Sequence, residues 1–374
     1  MIYLDYNATT PLDPLVKNAV IRSVDLFGNP SSLHRYGRES NEAIELSRNK
    51  LASLIKCETG EIYFTSGGTE SNNIAIIGLA SRHRSGHIIT SSIEHPAVMK
   101  PLEILRKSGY ETTSIPVAGN GVVSADDVLK AIRKDTILIT VMHANNETGA
   151  LQPIKEISEI ARGHDITFHT DAAQTTGKIE VDIKKLGVDM MSIASHKFYG
   201  PKGIGAIYIK NGMIVNPVIH GAFQEKGISP GTENIIGISG FGVASEIAAN
   251  EISDRMEHTR TLRDLLFSGL SDTIKGLHIN SEPGICLPNT LNISIKDILA
   301  NDLVSNLRDK IAFSAGAACH EGRHEPSHVL KAMGISDEDA VSSIRLSLGK
   351  FNTEDEIKES ITNISSSVNE LRGY

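Results

Sequence analysis

Three cysteines in 374 residues, Cys57, Cys286 and Cys319, are too few and too scattered for a disulfide framework, and no two stand as Cys-x-x-Cys. That scarcity fits a reducing compartment in which a lone thiol stays free to react, so a cytoplasmic location is expected. Basic runs are lacking as well, and the formal net charge is −8, which argues against nucleic acid or an anionic membrane as the main partner. No basic-then-apolar pattern opens the chain (MIYLDYNATTPLDP), and no apolar run approaches the roughly 18 residues of a membrane span. Repeats and low-complexity tracts are missing too. What remains is an ordinary globular composition, 40% hydrophobic and 22% charged, over a length that suits one large domain plus a smaller one.

Short β-rich runs alternate with longer amphipathic ones through much of the chain. Strands are expected at 61–65, 87–90, 136–141, 166–170, 189–194 and 204–209. Helices are expected between them, at 71–81, 97–108, 125–133 and 154–162. Strands alternating with helices predict a mainly parallel sheet covered on both faces. After Gly240 the texture changes. A long helix over about 243–270 leads into roughly a hundred residues with strands near 290–295 and 343–347 and helices near 300–310, 326–333 and 354–371. A large α/β domain over residues 15–255 is therefore expected, with a smaller α+β domain from 1–14 and 256–374.

Five motifs follow predicted strands. In EIYFTSGGTESNN, Gly67 and Gly68 permit a tight turn and Thr69 opens a helix with its N–H groups exposed, either a phosphate site or only a capped turn. His95, in SSIEHPAV, sits just past a strand end, where a parallel sheet presents ligands, or else packs on the surface. HANNETG offers Asn146. HTDAAQTTGK offers Asp171, with Gln174 three residues on, and Asp171 is a helix cap or a ligand-facing acid. SIASHKFYGPKG weighs most, because Lys197 leaves an apolar strand directly and is flanked by His196 and Gly200-Pro201. A desolvated lysine has a lowered pKa and can form a Schiff base with an aldehyde. Lysine, upstream acid and glycine turn together are the parts of a pyridoxal 5'-phosphate (PLP) site.

The segment SAGAACHEGRHEPSHVL adds a thiol, Cys319, in a Gly/Ala-rich and polar stretch that reads as a mobile loop. His320, His324 and His328 recur at four-residue steps, but Gly322 and Pro326 interrupt any helix that would align them, so no metal site is expected. Their cationic forms and Arg323 would lower the thiol pKa. A nucleophile is the favoured reading, with a buried thiol as the alternative.

The strings YLDYNATTP, FGNPSSLHRYG, FTSGGTESNN, EHPAV, NNETG, DAAQTTGK, SHKFYGPKG, HGAFQEKG, PGTEN, SAGAAC and EPSHVL run in that order from residue 3 to residue 330, and SIRLSLGKFNT extends them to 353. Together they resemble the cysteine desulfurases of the nitrogen-fixation and iron–sulfur-cluster type, in the class V aminotransferase branch of fold-type I PLP enzymes. The resemblance implies the PLP-dependent transferase fold, with a mainly parallel seven-stranded sheet. It implies that Lys197 holds PLP, that Asp171 pairs with the ring nitrogen, and that Gln174 and Asn146 bond near the ring's phenolic oxygen. His95 would lie on the ring face. Gly68, Thr69 and His196 would bind the phosphate, with Thr232 reaching in from a second subunit of a homodimer. Arg345 would grip the carboxylate of L-cysteine, Lys197 or His95 would move protons, and Cys319 would take the sulfur as a persulfide for a protein acceptor such as an iron–sulfur scaffold.

Three positions depart from that pattern. Ser229 stands where an arginine is usual. Ala194 replaces a common phosphate-binding serine, for which Ser195 is the expected substitute. Ala222 and Phe223 interrupt a usual glycine run. GAACH and PGTEN also resemble selenocysteine lyases, which is one alternative. A sulfur-relay or scaffold partner with vestigial catalysis is another, as is an aminotransferase or lyase in which Cys319 is incidental.

Overall fold

The computed structural model describes residues 1–320 and 323–373, and side chains outside 317–325. Its centre is a seven-stranded sheet in the order Ile62–Thr65, Gly205–Ile209, Met190–Ala194, Thr167–Asp171, Thr136–Thr140, His87–Ser91 and Glu111–Ile115. Gly205–Ile209 runs antiparallel to both of its neighbours, and the remaining pairings are parallel. Met190–Ala194 and Gly205–Ile209 are buried at every residue, as expected of strands covered on both faces. The edge strand Glu111–Ile115 (ETTSI) is largely polar and partly exposed, which suits an edge and gives it no apolar run to betray it in the sequence.

One helix ties the molecule together. It spans Ile235–Thr273, begins eight residues before the expected start, and is capped by Asn234, whose Oδ1 accepts from the Gly237 N–H at 3.0 Å. The sequence IIGISGFG resembles a breaker, but its glycines allow close packing: a Cβ on Gly242 would lie 2.6 Å from Ser47 of the helix Arg35–Ile55. The first half is apolar enough, by length and composition, to cross a membrane (mean hydropathy 1.2), and half of that window is buried inside the protein. Phe241, Ala244 and Ala248 enter the core beneath the large sheet, whereas Leu262, Leu266 and Leu270 enter a second core.

That second core covers a four-stranded antiparallel sheet, in the order Ser314–Ala315, Ser343–Ser347, Thr290–Ile295 and Leu277–Ile279. The N-terminal strand Ile2–Tyr3 pairs with Ile311–Ala312, which brings residues 5–10 between the two cores. The backbone of Ala317–His320 pairs with Arg323–Pro326, with Cys319 opposite His324. Pro326 ends a strand, and the helix expected from 326 starts at His328 behind a Ser327 cap.

Candidate active site

The strands Ile62–Thr65, His87–Ser91, Thr136–Thr140, Thr167–Asp171 and Met190–Ala194 point the same way, and their C-terminal ends open onto one cavity of ≈ 380 Å³. A crevice at strand carboxyl ends is where open α/β sheets bind ligands. Gly68, Thr69, His95, Asn146, Asp171, Gln174, His196, Lys197 and Arg345 all line it. Gly68 and Arg345, 277 positions apart in the chain, thus meet in one hollow.

Lys197 ends the short 3₁₀ turn Ser195–Lys197. Its Nζ donates to the carbonyls of Asn7 (2.8 Å) and Ala8 (2.9 Å). Burial, then the Arg345 cation, push its pKa down to about 8 against the opposing pull of Asp171 and Asp5. Asp171 is held from two sides: Asn72 Nδ2 donates to Oδ2 at 2.7 Å and the Ala173 N–H donates to Oδ1 at 2.9 Å. His95 caps the helix Pro96–Lys107 by accepting the Ala97 N–H on Nδ1 at 3.0 Å. With Nδ1 an acceptor, the neutral ring carries its proton on Nε2. Burial lowers the His95 pKa, which favours that neutral form. His196 is likewise pushed down to about 4, by burial and then by Lys197 and Lys202, and its Nδ1 lies 3.1 Å from Thr9 Oγ1.

Gln174 is fixed at both ends, donating from Nε2 to the Asn7 carbonyl (3.0 Å) and accepting on Oε1 from Lys178 (2.6 Å). Asn145 turns the next residue outward: its Oδ1 accepts the N–H groups of Glu147 and Thr148, leaving Asn146 at the cavity wall. Arg345 donates from Nη1 to the Asn146 carbonyl at 3.0 Å.

Two expected positions lie elsewhere in this chain. Ser195 is fully buried and its Oγ faces Gly200, where an added Cβ would come within 2.0 Å of it. The turn that delivers His196 and Lys197 to the cavity directs Ser195 inward, so it does not substitute for the serine missing at Ala194. Thr232 lines a separate hollow of ≈ 270 Å³ with Ser66, Glu70 and Ser229, on the other side of the glycine turn. Ser229 donates to Glu70 there at 2.7 Å. The side chains of Cys319, His320, Arg323 and His324 lie outside the described residues, whereas the His328 Nε2 pairs with the Glu94 carbonyl at 3.1 Å.

Sequence reasoning missed the supporting residues. Asn7 links Lys197, Gln174, Lys178, Asn289 and Thr290. Its string, YLDYNATTP, was legible as a family match, but nothing in it signals contact with residue 197. Lys178 is buried, and burial with the nearby Lys197 and Arg345 cations holds its pKa well below the usual lysine value. Glu94, beside His95, is completely buried, and desolvation pushes its pKa up to about 8 although Ser91 Oγ (2.5 Å) and the Met142 N–H (2.9 Å) donate to it. Between about pH 4.5 and about 8 the unfolded chain releases the Glu94 proton while the folded one keeps it. Its stability contribution, complete below 4.5, is therefore lost as pH rises through that window. Glu94→Gln removes this dependence: the fall in Tm from pH 5 to pH 8 should shrink by about 3 °C, and an unchanged fall would exclude Glu94 as the source.

The cavity's own chemistry fits PLP. Asn72 Oδ1 is buried without a partner at the wall, the Asp171 carboxylate faces the hollow, and a Cβ on Gly68 would meet only Ala194 Cβ, at 3.4 Å, so the turn leaves room for a close approach. Gly67, at φ 153°, takes a backbone conformation that suits glycine. Lys197 would bind the aldehyde, Asp171 the ring nitrogen, and Gly68, Thr69 and His196 the phosphate.

Comparison with known proteins agrees in extent as well as in kind. The chain is 45% identical to a cysteine desulfurase IscS of Dictyoglomus turgidum, covering 99% of this chain and 95% of the relative. It is also 45% identical to the IscS of Methanosarcina thermophila, covering 99% and 93%. Among solved structures, a NifS-like protein superposes with a TM-score of 0.91 at 38% identity, covering 98% of this chain and 99% of that one. A structure of SspA in complex with cysteine gives 0.83 at 35% identity, covering 94% and 100%. The model of the family Aminotransferase class-V matches residues 2–359, and the chain belongs to that family.

Proposed function

We propose that this chain is a PLP-dependent cysteine desulfurase that converts L-cysteine to L-alanine and passes the sulfur on, through Cys319, to iron–sulfur cluster assembly or a related sulfur-transfer pathway. The observation that carries this reading is the convergence of Lys197, Asp171, His95 and Arg345 on one cavity, in a chain whose full-length relatives are cysteine desulfurases. Bound PLP supplies an aldehyde and an electron-withdrawing ring. The chain's residues do the rest. Arg345 orients the substrate by its carboxylate, for which a guanidinium is geometrically suited. Lys197, with an amine near pKa 8, moves protons close to neutral pH. His95, neutral and protonated on Nε2, lies at the wall as a second proton carrier. The Cys319 thiolate takes the substrate sulfur.

The protein acts as a homodimer in the cytoplasm. Supporting the dimer, Phe27 (74% exposed), Leu33 (90%) and Phe223 (81%) leave large apolar groups in solvent, with the rings of Phe27 and Tyr36 4.7 Å apart. Thr232 lies in a hollow beside the glycine turn, where a second subunit would have access to it. The sulfur acceptor is a protein. Incubation of the purified protein with L-cysteine and a thiol reductant should yield alanine and sulfide in equal amounts. Turnover of L-selenocysteine alone would contradict the proposal and favour a selenocysteine lyase.

A further inference from the structure

Arg345 does not present a free fork to the cavity. Its Nη2 donates to Asp5 Oδ1 at 2.7 Å and to Ser314 Oγ at 2.8 Å, and Ser314 Oγ in turn donates to the same Asp5 oxygen at 2.8 Å. Nη1 donates to the Asn146 carbonyl, and Nε is buried with no partner. A guanidinium can clasp a carboxylate along two edges, Nη1 with Nη2 or Nε with Nη2. Nη2 belongs to both edges, and both of its hydrogens are engaged. A bidentate grip on a substrate therefore requires Asp5 or Ser314 to let go.

The charges decide which. One guanidinium cannot offset two carboxylates at contact distance, so an α-carboxylate arriving beside Asp5 meets a like charge. The Asp5 and Arg345 side chains are 20% and 11% exposed, so solvent screens that repulsion only in part. Ser314 is neutral, stands directly opposite Arg345 in the antiparallel strand pair, and can stay as a cross-strand neighbour.

We propose that Asp5 is a built-in competitor for the substrate carboxylate: it holds the Arg345 fork and yields it to the incoming amino acid, so that it sets substrate affinity without touching the substrate. This inference rests on the proposed role of Arg345. It also gives the N-terminal segment a purpose, since backbone bonds on either side of Asp5, Leu4 N–H to the Ala312 carbonyl and Tyr6 N–H to the Ser347 carbonyl at the end of the arginine strand, carry it to this point.

Asp5→Asn tests it. The amide oxygen can still accept from Nη2 and Ser314, but the competing charge is gone. Binding of L-alanine, which carries the α-carboxylate and no sulfur, is measured by calorimetry on the PLP-loaded protein, beside the KM for L-cysteine. Asp5→Asn should bind L-alanine about fivefold more tightly, as expected from removing one partly exposed ion pair. KM should fall with it, while kcat stays the same or drops. In an Arg345→Lys background the gain should vanish, because the coupling runs through the fork. Unchanged or weaker L-alanine binding in Asp5→Asn, with Arg345→Lys weakening it, overturns the proposal alone. A gain that persists in the Arg345→Lys background overturns it as well. Binding indifferent to Arg345→Lys removes the assignment of Arg345 and the proposal together.

Discussion

Replacing Lys197 by alanine should lower L-cysteine turnover on the order of 10³-fold or more, the range for losing a positioned proton-transfer group. The same substitution should leave PLP bound without a covalent link and removable by dialysis. Both effects follow from where the amine sits. A solvated lysine with its ordinary pKa of 10.5 is neutral in about one molecule in three thousand at pH 7, whereas a pKa near 8 raises that to about one in ten. The causes are specific: burial behind the sheet ends, and the Arg345 cation. Reloading of the wild-type apoprotein with PLP should therefore accelerate as pH rises and level off above about pH 8. A reloading rate that keeps rising to pH 10 would mean that the lysine is not desolvated as described. Since Asn7 and Ala8 hold the amine through backbone carbonyls, substitution of either side chain should disturb Lys197 less than loss of the lysine itself.

Replacing Cys319 by alanine should be equally damaging to sulfur release, at least on the order of 10³-fold, because the acceptor of the substrate sulfur is gone. It should leave PLP binding and the absorbance of the cofactor unchanged, because Lys197, Asp171, Gly68, Thr69 and His196 are all kept. The described residues on either side of the segment are held in place. The strand before it, Ser314–Ala315, is paired to the Arg345 strand. After it, Ser327 Oγ donates to Glu147 at 2.5 Å and His328 pairs with the Glu94 carbonyl. Full activity in Cys319→Ala would make the cysteine incidental and return the protein to the lyases or aminotransferases of the same fold.

Much of this was legible in the sequence for identifiable reasons. Buried strands such as Met190–Ala194 announce themselves as apolar runs, and Lys197, Asp171 and His95 follow such strands within a few residues, which marked them as candidates. Glu111–Ile115 could not, because a polar edge strand has no periodic apolar face. The start of the long helix was hidden by glycines that serve packing rather than turning. Ser195 illustrates a finer limit, since one step of phase in a 3₁₀ turn decides whether a side chain meets the cavity or Gly200. Asn7, Asn72 and Lys178 act through hydrogen bonds, two of them spanning 99 and 171 residues of sequence, and such pairings leave no local pattern.

The central claim is that sulfur passes from L-cysteine to Cys319, and the most direct measurement is the mass of the peptide carrying Cys319 after brief reaction with L-cysteine and no reductant. The account predicts one added sulfur atom on that peptide, removable by a thiol reductant and lost in Lys197→Ala. A Cys319 peptide of unchanged mass, from protein that still produces alanine and sulfide, would contradict it.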